Sequence, residues 1–145
     1  MGAKIEFIGL LGALFCRELI NIYYLGVSLT LNTMDEVFSD LITSLPEADM
    51  PFKGIRAWLS QGRDHQIIFF EIEPIGKVPE HAHGAQWGVV LEGELTLTIN
   101  GISGTYRKGD RYYIPAGMIH SAECLVKTYA IDFFADKDRY RVKTE

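Results

Sequence analysis

The chain has 145 residues, 48% of them hydrophobic, and a formal net charge of −5 at pH 7. That length supports one buried core rather than two, and the acidic balance, with a pI near 5.4, argues against a nucleic-acid or anionic-membrane partner, which would need clustered Lys and Arg. Two distant cysteines, Cys16 and Cys124, supply neither a disulfide framework nor a CxxC motif, so a reducing cytoplasmic setting is expected.

Residues 1–33 differ from the rest. Ile5 to Phe15 is apolar, Arg17 and Glu18 interrupt, and Leu19 to Asn32 is again uncharged. Neither run reaches the roughly 18 residues of a membrane span, and no clean small-x-small cleavage site follows. The segment is read as an apolar N-terminal extension of unassigned role. It is an upstream extension before a working domain that opens at Met34, an element packed on the domain or on a dimer partner, or a membrane or export signal.

Residues 34–50 form a lead-in. Val37, Leu41 and Leu45 stand at helical spacing before Pro46, which predicts a short helix over Met34–Leu45. Short β-rich runs then fill about residues 51–135. Gln66 to Glu73 is the best central strand, followed by Gln86 to Leu91 and by Glu94 to Asn100, where Leu95, Leu97 and Ile99 alternate onto one face. Asn100-Gly101 predicts a type I′ hairpin. Further strands are expected at Ile102–Tyr106, Arg111–Ile114, Ile119–Cys124 and Lys127–Phe134, with a charged tail over 136–145. Many short strands with frequent turns predict a single antiparallel β-barrel or sandwich. Apolar strands that need cover, such as Gln66 to Ile72, and edge strands that need capping or pairing favour a homodimer.

The chemistry gathers around histidines. His81 and His83 stand at i and i+2, which on a strand puts both imidazoles on one face about 7 Å apart. Two imidazoles at that spacing can share one ion, and Gln86 follows as an oxygen ligand. His120 closes the segment Gly109-Asp-Arg-Tyr-Tyr-Ile-Pro115-Ala-Gly117-Met-Ile-His120. Imidazole nitrogens suit Mn, Fe, Ni, Cu or Zn; the alternative is a metal-free pocket lined by the same residues. His65 lies in a polar turn and is expected to be solvated. With His120 inward, Ala122 and Cys124 point inward too, making Cys124 a small buried hydrophobe or a pocket thiol. Tyr129, Ile131 and Phe133 share one face of the last strand, and Ala130, Asp132 and Phe134 the other. An inward Asp132 would be an acid or base in an apolar barrel. Trp87, Tyr112 and Tyr113 are packing residues, with Tyr113 assigned to the pocket mouth.

Gly76, His81-x-His83, Gln86 and Gly93, followed by Gly109, Pro115, Gly117 and His120, resemble the two signature motifs of the cupins. The first motif is one residue short in two gaps and carries Gln where Glu is usual; the second matches through His120, with Cys124 at its final Asn position. The resemblance spans about residues 50–135 and implies a double-stranded β-helix (jelly-roll barrel) holding one divalent metal on His81, His83, Gln86 and His120. Gln in place of Glu removes a negative charge, so Gln86→Glu is expected to tighten metal binding. A narrower resemblance, through Gly109–Pro115 and Ala130–Phe134, is to small cupins of pectin catabolism that open unsaturated uronate rings. It implies that Asp132 is catalytic and that Phe134 lines the substrate pocket, to which the strand reading adds Cys124 and Tyr113. In that family an Arg follows six residues after the Asp; Asp138 stands there and Arg139 is one place late. The expected function is a metal-dependent cupin acting on, or merely binding and sensing, a small polar, sugar-derived molecule.

Overall fold

The computed structural model describes residues 21–24, 27–30 and 36–144, with side chains from Glu36 onward. The chain divides into two compact units, Met1–Asp35 and Glu36–Glu145. In the first, β1 (Asn21–Tyr24) and β2 (Val27–Thr30) pair as an antiparallel ribbon. The remainder of residues 1–33, and with it their expected roles, lies outside the described residues.

The second unit begins with a single helical turn, α1 (Asp40–Thr43), not the helix expected over Met34–Leu45. The apolar stripe that would hold a longer helix is missing: no residue of α1 is buried and Leu41 is 82% exposed. Short helices persist only when a face is packed. Phe38, just before the turn, instead packs edge-to-face on Trp58, Phe69 and Tyr129.

Nine strands follow: β3 (Ile55–Gln61), β4 (Gln66–Ile72), β5 (Gly76–His81), β6 (Gln86–Glu92), β7 (Glu94–Ile99), β8 (Ile102–Arg107), β9 (Arg111–Ile114), β10 (His120–Cys124) and β11 (Thr128–Phe134). They form two antiparallel sheets, one ordered β3-β4-β11-β6-β9 and the other β5-β10-β7-β8. This is the expected all-β jelly roll. At the β7–β8 turn Asn100 and Gly101 both take positive φ, 48° and 78°, the pair of left-handed residues a type I′ hairpin requires. The Gln66–Ile72 strand is interior, as expected, hydrogen-bonded to both β3 and β11.

Two strands add to those expected. In β3, Ala57 and Leu59 face the core while Arg56 and Ser60 face away, a period-2 signal that Trp58 obscures because Phe38 buries its outer side. Strand β5 contains Pro79, which lacks a donor, and it sits at the edge of its sheet, where that loss is tolerated.

The core consists of two clusters. One unites Ala57, Leu59, Ile68, Phe70, Ala130 and Phe134; the other unites Val90, Leu95, Leu97, Tyr112, Ile114 and Cys124. The charged C-terminal residues expected as a tail are tied into the first cluster. Tyr140 packs on Phe70 and Phe134, its backbone N–H donates to Gln66 Oε1, and Gln66 Nε2 donates to its carbonyl, both at 2.9 Å. The lead-in closes the same edge, with Asp49 N–H donating to the Arg141 carbonyl.

Candidate metal centre and its cavity

His81 ends β5 and His120 opens β10, and the two are direct cross-strand partners. His83 lies beyond β5, not on a strand as its i+2 spacing suggested. It is held in place by backbone: Gly117 N–H donates to the His83 carbonyl at 2.7 Å. The Pro115-Ala-Gly117 turn thus ties the HxH segment to the strand bearing His120. The ring centroid of His120 lies 4.3 Å from that of His81 and 4.6 Å from that of His83.

One ring nitrogen from each of the three histidines falls within 4.8 Å of the others. Nitrogens bound to one ion at about 2.1 Å lie about 3 to 4 Å apart, so small ring rotations close the difference. Hydrogen bonding decides which nitrogen is free. Nδ1 of His81 faces the Pro79 carbonyl, that of His83 the Gly84 carbonyl and that of His120 the Met118 carbonyl, each at 2.8 Å. A carbonyl only accepts, so each Nδ1 is the protonated donor and each Nε2 keeps its lone pair, as metal-binding imidazoles require. Burial lowers the pKa of His83 to about 4 and also lowers that of His120. Both are therefore neutral, ligand-competent bases at neutral pH.

The histidines open on a cavity of about 310 Å³ between the sheets, lined also by Gln86, Phe70, Tyr112, Asp132, Phe134, Arg139 and Tyr140. Gln86 is buried at the start of β6, and its Nε2 donates to Asp132 Oδ2 at 2.7 Å. On β11 the inward face is Ala130, Asp132 and Phe134. Asp132 is 5% exposed and accepts a second hydrogen bond, on Oδ1, from the Tyr112 hydroxyl at 2.5 Å. Burial raises its pKa to about 7, outweighing the opposing effect of these two donors. Gly88, cross-strand partner of both Asp132 and Tyr112, leaves the space in which they meet.

Phe134 lines the cavity, 5.3 Å from His83 between ring centroids. Arg139 lines it as well. Its guanidinium lies over the rings of Tyr140 and Phe134, and its buried Nε has no hydrogen-bond partner. Tyr112 and Arg139 are the residues that sequence reasoning undervalued. For Tyr112 a signal existed, since it shares a face of β9 with the core residue Ile114.

Two assignments change. Tyr113 is 59% exposed and does not line the cavity, because the alternation that turns Tyr112 inward turns Tyr113 out. Cys124 is 2% exposed and belongs to the second core cluster rather than the cavity wall. Burial raises its thiol pKa to about 11, so the reactive thiolate forms only as pH approaches that value. A thiol reagent at pH 8 should leave Cys124 unmodified in the native protein and label it after denaturation, as read by peptide mass mapping. Native labelling at the rate of a free cysteine would contradict its core position. His65, expected to be solvated, stacks on Phe133 at 4.7 Å.

The cupin domain family model matches residues 68–130. Among solved structures the chain is similar to KdgF from a Halomonas species, with a TM-score of 0.56 at 21% identity over 63% of this chain and 87% of that one. It is also similar to an RmlC-like cupin from Shewanella frigidimarina, with a TM-score of 0.57 at 22% identity over 65% and 86% of the two chains. Oxalate decarboxylase from Bacillus subtilis aligns with a TM-score of 0.57 at 20% identity, over 66% of this chain but 28% of that one. No curated protein matches. At these identities the structural likeness is one of fold. Residues 68–130 carry the match to the cupin domain family, and the jelly roll that contains them shares the fold of such a cupin structure.

Proposed function

We propose that this cupin holds one divalent transition metal on Nε2 of His81, His83 and His120 and on Oε1 of Gln86, and binds a small sugar-derived anion in the adjoining cavity. The observation that carries the metal assignment is the set of three Nδ1–carbonyl hydrogen bonds, which leaves Nε2 as the nitrogen free to ligate on each of three clustered imidazoles. The metal is one of Mn, Fe, Ni, Cu or Zn, the ions suited to such nitrogen donors. When bound, it would supply Lewis acidity and open coordination positions for ligand oxygens.

The chain's own residues suit an anionic guest. The unpartnered Nε of Arg139 can donate to a carboxylate, for which a guanidinium is the strongest side-chain partner. Phe70, Phe134 and Tyr140 provide an apolar wall that limits water. Asp132, with its pKa near 7, is the buried carboxyl suited to hold and move a proton in an isomerase- or lyase-type reaction. A second reading, binding without turnover, is favoured by the engagement of both Asp132 oxygens with Tyr112 and Gln86. Incubation with an unsaturated uronate, followed by NMR, separates the two.

For the anion site, metal-loaded protein titrated with galacturonate in a calorimeter should show binding that Arg139→Ala weakens about tenfold or more, with metal content unchanged. Equal affinity in both proteins would remove Arg139 from the site. A homodimer is likewise proposed. Its support is a row of exposed aromatic residues, Tyr113, Trp87 and Phe133, that are neighbours across β9, β6 and β11; the mass in solution tests it.

A further inference from the structure

Asp132, Gly88 and Tyr112 form one cross-strand row over β11, β6 and β9, and Asp132 also reaches Gln86, two residues before Gly88 on the same face. Gln86 Nε2 and the Tyr112 hydroxyl donate to the two oxygens of Asp132, and an amide donates from one end and accepts at the other. The 2.7 Å bond to Asp132 therefore commits Nε2 of Gln86. A flipped amide would set Oε1 against the Asp132 oxygen and lose the bond that Nε2 makes. Among the described residues no hydrogen bond is donated to Oε1, so the acceptor end is left for the cavity that Gln86 lines. Tyr112 in turn holds the other oxygen of Asp132, and a Cβ at position 88 would collide with both Asp132 Oδ1 and Tyr112 Cζ. Only glycine leaves room for this bridge.

We propose that Asp132, braced by Tyr112 across Gly88, is a positioning residue that sets both the orientation and the identity of residue 86, keeping the Gln86 amide oxygen toward the histidines and making a carboxylate unsuitable there. The inference rests on the metal site proposed above and reverses the expectation drawn from charge alone. Gln86→Glu adds an anionic ligand, but it places two carboxyl groups face to face, so that they either repel or share one proton, and the added charge is lost to the metal. With Asp132→Asn added, the new amide at 132 donates to the new carboxylate at 86 and its oxygen accepts from Tyr112. Every group is then paired and the added charge serves the metal. The sign of the Gln86→Glu effect therefore depends on residue 132.

A double-mutant cycle of Ni²⁺ affinity, measured by chelator competition, tests this on wild type, Gln86→Glu, Asp132→Asn and the double variant, with Co²⁺ absorption spectra as a second readout of the ligand set. Gln86→Glu should not tighten binding in the Asp132 background. Asp132→Asn alone should change binding little, because its amide oxygen still accepts from Gln86 while its NH2 donates to the Tyr112 oxygen. Asp132→Ala, which removes the acceptor, should weaken binding about tenfold, the scale of losing a group that orients a ligand, and should alter the Co²⁺ spectrum. The double variant should bind at least about tenfold more tightly than Gln86→Glu alone. Should Asp132→Asn not fold, the comparison of Gln86→Glu with the double variant still reads the coupling. Tightening by the same factor in both backgrounds would overturn the inference while leaving the metal site standing. A wild type that binds no Ni²⁺ or Co²⁺ would overturn both.

Discussion

Gly88→Ala should be among the most damaging single substitutions in the domain, lowering stability by about 3 kcal/mol or more. The added methyl would overlap Asp132 Oδ1 and the Tyr112 ring, inside a close-packed sheet that cannot yield. Moving either side chain breaks a hydrogen bond to a buried carboxyl and leaves polar atoms unsatisfied. In a domain of this size a loss on that scale lowers the melting temperature by about 10 °C or more. Gly104→Ala is the matched control: it adds the same methyl on β8, where the nearest atom is the flexible Tyr106 hydroxyl at 3.4 Å, and its effect should stay within about 1 kcal/mol. The two melts, followed by circular dichroism, separate loss of the bridge from the general consequence of replacing a glycine in a strand. Equal small shifts for both would mean that the Asp132–Gly88–Tyr112 row is not a structural unit.

The fold is legible in the sequence where period 2 is undisturbed. Leu95, Leu97 and Ile99, with the Asn100-Gly101 turn behind them, define β7 and its hairpin without help. Strand β3 is harder to see because Trp58, on its outer face, is buried by Phe38 from a segment with no regular structure. The short helix fails because its spacing promises an apolar stripe for which the fold provides no surface. At the candidate site, spacing makes the histidines visible but misplaces one of them. His83 joins the others through a backbone bond from Gly117, a contact between segments far apart in sequence. Parity names the two faces of β11 but cannot choose between them. Asp132 faces inward where Gln86 on β6 and Tyr112 on β9, the strand beyond it, supply donors, and no strand carries that information alone. The same limit applies to Arg139, whose reach depends on the path of the turn after β11.

Replacement of His81 and His120 together carries the largest expected functional effect. These two residues face each other across β5 and β10, so their loss removes half of the proposed four-ligand set and leaves His83 and Gln86 without a chelating partner. The fold should survive, since His81 borders the open cavity rather than a packed cluster. Metal-linked stabilisation should be lost. A ligand at about 100 times its dissociation constant adds about 2.7 kcal/mol to a native state, and the rise in melting temperature that Ni²⁺ or Zn²⁺ gives the wild type should vanish in the double variant. Elemental analysis of both proteins, loaded with the metal and desalted, is the most direct measurement. Close to one ion per wild-type chain and almost none in His81→Ala, His120→Ala is the expected result; full occupancy in the double variant would contradict the metal centre outright.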